Sequence, residues 1–309
     1  MCHLDYPLRP LVGDGGPLNR IKIVKTDSRR LAVMSAMTLV ALSAISPVAM
    51  PTPQPVQVPF RLVGPSCPLV TIRIHNRDIP LELDIGDASA LVLHPAVLSE
   101  LNTTSTGESY KGYGMEGKVI DEPIVKIDRV EMGGVVFSDV PVHRDGHDDA
   151  FRAKQLAERG TQGYIGASFF KGYELVLDYR RHRITLIPPA APPALHRSCR
   201  GGIVPLDRSV SWGLVSRVNT DTGDMLFVWD TGSPGLVMVK ANAQAAHLDV
   251  AHGPLTLKHF RMNGREYGPL QFDLWDFPAP PGMAGFIGYD FFTDHVVCID
   301  FPRSRILVR

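Results

Sequence analysis

Asp230 stands in FVWDTGSPGLVMV, at the end of one apolar run and six residues before the next begins at Leu236. The residues that follow it, Thr231, Gly232 and Ser233, are a hydroxyl, a residue that permits a tight turn, and a second hydroxyl. That order suits a carboxylate held at the end of a buried strand by a compact, hydrogen-bonded loop. One such carboxylate does little by itself. Two held together can act as acid and base on a single water, because like charges at close range keep one protonated while the other stays ionised. A second aspartate is therefore expected elsewhere in the chain.

An internal repeat locates it. Residues 163–187, GYIGASFFKGYELVLDYRRHRITLI, align without a gap to 285–309, GFIGYDFFTDHVVCIDFPRSRILVR, with nine of 25 positions identical. If the second copy holds Asp230 upstream of this segment, the first should hold its counterpart upstream of residue 163. LELDIGDASALVLHP supplies it, with Asp84 set between two apolar segments.

Each half then contains an aspartate loop followed by two apolar residues and a glycine, Tyr164-Ile165-Gly166 in one and Phe286-Ile287-Gly288 in the other. This ordered set resembles the retropepsin and pepsin-like aspartic protease family. The Phe-Phe pair, the strand ending in Asp and the closing Arg-x-Arg-Ile resemble its bacterial single-chain, two-lobed retropepsin-like branch. The resemblance covers roughly residues 56–309 and implies an all-β protein, two retropepsin-like β-barrel repeats related by a pseudo-twofold axis. It implies an aspartic-type endopeptidase with catalytic residues Asp84 and Asp230 and an active-site loop made of Ile85, Gly86, Asp87, Thr231, Gly232 and Ser233. It implies no cofactor and no metal. Peptides or proteins are the expected substrates, and one chain supplies both halves of the site, so a monomer is expected.

The first loop departs from the family pattern. Ile85 stands where the family has Thr or Ser, removing one of the hydroxyls that link the two loops, and Asp87 stands in the place of Ser233. A third acid pointing inward would raise the pKa values of the pair or displace its water. The alternative to a peptidase is thus a catalytically degenerate protein that binds peptides without cleaving them. The first loop also reads as one residue longer before LVL.

The first copy carries 24 more residues than the second between its aspartate and its glycine element. Part of the excess, GESYKGYGMEGKV at 107–119, has the Gly and Tyr content of a hairpin flap over a cleft, with Tyr110 and Tyr113 as candidate substrate contacts. The rest, HRDGHDDAFRAKQLAERGTQ, contains His143, Asp145, His147, Asp148 and Asp149 but reads as a hydrophilic loop entering a short helix rather than a metal site. Asp178 and Asp300 precede turns and paired arginines and read as structural, in surface hairpin ion pairs.

Composition bounds the rest. The 309 residues carry no formal net charge, and the arginines are scattered, so nucleic acid is not an expected partner. Residues 1–50 read as an N-terminal extension and signal peptide, because Lys25, Arg29 and Arg30 precede the apolar stretch 31–45 and a Pro-rich segment. That implies a periplasmic or secreted protein, or, if residues 31–50 are retained, a membrane anchor. The expected organisation is a first lobe at 56–188, a Pro-rich linker at 189–202 and a second lobe at 203–309. Cys67, Cys199 and Cys298 follow the export segment, and their spacing assigns no pair.

Overall fold

The structure, a computed structural model, describes residues 54–113, 119–145, 154, 157–192, 199–210, 213–277, 279 and 282–309, without the side chains of 110–113 and 119–120. The segment at 1–50 that reads as an export signal therefore lies outside the described residues. Among those described, no helix is long and apolar enough to cross a membrane. Strand makes up 50% and helix 12%, so the chain is all-β as expected.

Each half of the chain builds an eight-stranded sheet. Five neighbouring strands of the first are Cys67–Ile74, Arg77–Leu83, Gly163–Ile165, Leu91–Leu93 and Val135–Arg144. In the second, Val215–Thr220, Gly223–Trp229, Met283–Ile287, Val237–Val239 and Leu270–Trp275 lie in the same order. Neighbour directions also agree: antiparallel, parallel, antiparallel, parallel in both. The first sheet curls on itself, since Cys67–Ile74 also pairs with Val119–Met132; in the second, Val215–Thr220 is followed by Phe260–Met262.

The apolar pattern explains which way these strands face. In Arg77–Leu83, Ile79, Leu81 and Leu83 enter the main core, while Glu82 lies on the opposite face. In Gly223–Trp229, Phe227 and Trp229 enter the core, and Val228 belongs to a separate apolar cluster on the other face. Burying each such side chain contributes about 1.5–3 kcal/mol, so a one-residue slip in either strand would forfeit several of these terms at once.

A six-stranded sheet takes three strands from each half, in the order Val56–Pro59, Arg183–Ile187, Glu174–Asp178, Val297–Asp300, Arg305–Val308, Gly202–Pro205. At its middle Val176 pairs with Cys298, its own counterpart in the sequence repeat. Aromatic contacts across the halves follow the same exchange. Tyr179 stacks on Phe292 at 5.4 Å, and the counterpart pair Phe301 and Phe170 stacks at 6.4 Å. A disulfide joins Cys199 to Cys298, tying the chain entering the second half to this central sheet.

Asp178 and Asp300 differ from the surface ion pairs expected of them. Both carboxylates are buried, and only their arginines reach solvent. Asp178 accepts from the Arg181 backbone N–H at 3.1 Å and from its guanidinium at 2.8 Å; Asp300 accepts from Arg303 in the same way and from Arg305 at 2.9 Å. Each carboxylate therefore caps a hairpin turn from inside the sheet. The pattern of residues showed the partners but not the burial.

Candidate active site

Asp84 directly follows Arg77–Leu83, and Asp230 directly follows Gly223–Trp229. Both backbones are fixed by the same parallel neighbour: the Asp84 N–H donates to Ile165 C=O at 2.9 Å, and the Asp230 N–H to Ile287 C=O at 3.0 Å. Each loop then closes alike. Asp87 N–H donates to Asp84 C=O at 3.2 Å, and Ser233 N–H to Asp230 C=O at 3.3 Å. Gly86 N–H donates to the Asp84 carboxylate at 3.1 Å, and Gly232 N–H to that of Asp230 at 2.6 Å.

Glycine is required in both loops because each backs onto the opposite aspartate. A Cβ on Gly86 would come 2.6 Å from the Asp230 carboxyl carbon, and one on Gly232 would come 2.9 Å from an Asp84 carboxylate oxygen. The structure thus brings the two sequence-predicted acids together, 146 residues apart in the chain. Their carboxyl groups are hydrogen-bonded to one another.

The hydroxyl link between the loops is one-sided. Thr231 Oγ1 accepts from Ile85 N–H at 3.1 Å and donates to Leu83 C=O at 2.7 Å, so the second loop grips both sides of Asp84. Ile85 has no hydroxyl to return, and its side chain is fully buried in the core. The missing reciprocal bonds follow from the residue type alone.

Asp87 and Ser233 occupy equivalent places, since the glycines that end the apolar pairs press against them alike. A Cβ on Gly166 would come 2.9 Å from Asp87 O and 2.3 Å from Ser89 O; on Gly288 it would come 2.8 Å from Ser233 O and 2.1 Å from Gly235 O. Their side chains reverse polarity. Ser233 Oγ donates to Gly235 C=O at 2.9 Å, whereas Asp87 accepts from Ser89 N–H at 2.6 Å and from the Tyr164 hydroxyl at 3.3 Å. Ser233 therefore turns its hydroxyl to its own loop. Asp87 likewise has its bonds outside the pair. The extra residue in the first loop falls between Ser89 and Val92: Val92 pairs with Tyr164 as Val237 pairs with Phe286, yet stands one residue further from its aspartate.

Burial dominates the electrostatics. The Asp84 carboxyl is pushed well above the usual carboxylate range, first by burial and then by the charges of Asp230 and Asp87. Burial also raises Asp230, against the Gly232 N–H, the hydrogen bond from Asp84 and the Ser233 N–H, leaving it at about 6. Such a pair titrates as a unit and holds one proton across a wide range. Beneath it, Tyr179 packs on Phe292 and Tyr289, and its phenol is raised by burial and by both acids. The Tyr179 hydroxyl is buried without a hydrogen-bond partner among the described residues.

Of the remaining expectations, Tyr110 and Tyr113 have their backbones near the end of the hairpin formed by Thr104–Tyr113 and Val119–Met132, paired with Glu122 and Val119. Residues 114–118 of the proposed flap lie outside the described residues. His143 ends up in the strand Val135–Arg144 with Asp145 just after it, and His147, Asp148 and Asp149 lie outside the described residues. A buried group of Glu174, Cys199 and Cys298 has ligand atoms within 4.8 Å of one another, but both sulfurs are joined in the disulfide. Sequence reasoning missed the contacts of Tyr164 with Asp87 and of Tyr179 with the floor of the pair. A signal for both existed in the repeat, where their counterparts are Phe286 and Phe301 and so lack the hydroxyl. No family model and no curated protein matches the chain.

Proposed function

We propose that the protein is an exported aspartic-type endopeptidase of two retropepsin-like lobes related by a pseudo-twofold axis, acting through Asp84 and Asp230. One observation carries this reading: two fully buried carboxyl groups, each at the end of an equivalent strand, share a hydrogen bond and have raised pKa values. Burying two acids against one another costs stability, and fold alone gives no reason to retain them. The six-stranded sheet with three strands from each half, and the equal strand orders on either side, support the two-lobed arrangement.

In this reading a water lies against both carboxyls. The ionised member takes one proton from the water as its oxygen bonds to the scissile carbonyl carbon, while the protonated member gives its proton to the carbonyl oxygen. The resulting tetrahedral diol collapses: the C–N bond breaks, the amine leaves with a proton from the pair, and one diol hydroxyl returns its proton to the pair as the carboxylic acid forms. Proton count and charge on the pair return to their starting values, and no metal or cofactor enters. Asp87, bonded to Ser89 and Tyr164, leaves the space between the dyad carboxyls to that water.

A second reading, peptide binding without cleavage, is favoured by Ile85, which leaves the loops gripped from one side only. A cleavage profile on a peptide library from acidic to neutral pH separates the two. The peptidase reading expects discrete cleavage by the wild type and none by Asp230→Asn; binding without products from either protein would support the second reading instead.

A further inference from the structure

The walls beside the two aspartates are chemically unlike. On the face that carries Asp84, Glu82 pairs with Tyr164, which in turn pairs with Val92. At the equivalent places on the face that carries Asp230 stand Val228, Phe286 and Val237. The second set joins Val215 and Met283 in an apolar cluster against which Val210 and Phe277 pack, half-buried. The first set has two carboxylates, Glu82 and Asp87, and a phenol.

Glu82 has a cation beside it, since the Arg159 guanidinium lies 3.5 Å away. Asp87 does not. Its two oxygens accept from a backbone N–H and a phenol, both neutral donors, and among the described residues no cationic group is in ion-pair contact with it. It is half-exposed, three residues from a carboxyl that is fully buried. Its charge also bears on both members of the pair, which are destabilised in their ionised forms by it. Ser233 at the equivalent place in the other loop shows that the fold does not need a carboxylate there.

Resting on the peptidase reading, we infer that the half-exposed Asp87 selects a lysine or arginine side chain beside the scissile bond. A cationic side chain supplies the counter-charge that Asp87 lacks and relieves its repulsion of the dyad. An apolar residue at the same place would leave the carboxylate partly desolvated and unpaired, which discriminates against it.

The test uses four peptides that carry lysine or norleucine, in every combination, at the two positions flanking the cleaved bond. Rates are measured with the wild type, Asp87→Asn and Asp87→Ser. Binding of the same peptides, fluorescently labelled, is measured by anisotropy on Asp230→Asn, alone and combined with Asp87→Asn, so that preference is read without turnover. Asparagine keeps an oxygen for the Ser89 N–H, and serine is the residue of the second loop, so neither variant is expected to disturb folding. The expected result is a lysine preference of about tenfold at one flanking position, weakened by added salt and reduced to near parity in both Asp87 variants. A preference that is absent, or that survives both substitutions, overturns the inference while leaving cleavage itself untouched. Lysine-selective binding without any wild-type cleavage would uphold the inference about Asp87 and remove the peptidase reading instead.

Discussion

The loops at 84–89 and 230–235 have the same backbone and different side-chain chemistry. In both, the aspartate N–H is held by a parallel strand, the first glycine N–H reaches the carboxylate, and that glycine backs onto the aspartate across the interface. Only the second loop has the cross-linking hydroxyl, and only the first has a carboxylate in the place of Ser233. The difference separates two jobs. Strand ends and close glycine packing place the carboxyls, while the hydroxyls set how firmly one loop is tied to the other.

Removing the one-sided grip gives the largest expected effect. Thr231→Val keeps the shape of the side chain but leaves the Ile85 N–H and Leu83 C=O buried without partners, at a cost of about 3–5 kcal/mol. Thermal denaturation should show a Tm lower by roughly 10 °C. Thr231→Ser, which retains the hydroxyl, should recover most of it. If Thr231→Val melts like the wild type, the grip holds nothing and the comparison of the loops loses its meaning.

Next is the cost of holding two acids together. In the folded protein the Asp230 carboxyl sits at about 6, above its ordinary value, so the folded state keeps a proton that the unfolded chain releases. Its contribution is fully present below about pH 4 and is lost as pH rises through about 6. Asp230→Asn should therefore be more stable than the wild type at pH 7, by on the order of 3 kcal/mol, with the gap closing toward pH 4. Urea titrations at several pH values measure this. A gap that is constant with pH would mean that Asp230 is not shifted.

Ile85→Thr tests the difference from the other side. By analogy with Thr231, a threonine here has a hydroxyl to place on the neighbouring loop, so the loss of apolar burial is offset by new hydrogen bonds and the net change should stay within about 1 kcal/mol. Ile72→Thr, at an equally buried core position, is the control and should cost about 2–3 kcal/mol, because its hydroxyl is buried without a partner. Equal losses at the two positions would show that the first loop has no room for the missing link.

Tyr179→Phe is expected to have the smallest effect. Its buried hydroxyl has no partner, and Phe301 makes the counterpart stack without one. The substitution should raise stability by about 1 kcal/mol. A loss of stability would mean that this hydroxyl has found a water or another partner below the dyad.

Much of this was legible in the sequence, and the reasons are physical. The two aspartates, their glycines and the later apolar-apolar-Gly elements could be read because each is dictated by backbone: a strand end, a turn and a close approach that tolerates no Cβ. The all-β class followed from the resemblance that these elements carry. The direction of Asp87 could not be read, because it depends on the extra residue between Ser89 and Val92 and on a phenol arriving from residue 164. The burial of Asp178 and Asp300 escaped for a similar reason. Paired arginines mark an ion pair, but whether its carboxylate faces water depends on the central sheet that joins the halves.

The central claim is that Asp84 and Asp230 share one proton and use it to hydrolyse peptides, and the most direct measurement is kcat/KM against pH for the wild type, Asp84→Asn and Asp230→Asn on one peptide. The account predicts a bell-shaped profile whose acidic limb lies near pH 6, where the pair gives up its first proton, and whose alkaline limb marks loss of the proton that the two carboxyls share. Both variants should fall by about a thousandfold or more, because neither carboxyl can do the work of both. Wild-type-like rates in either variant, or an acidic limb at the ordinary carboxylate pKa near 4, would contradict it.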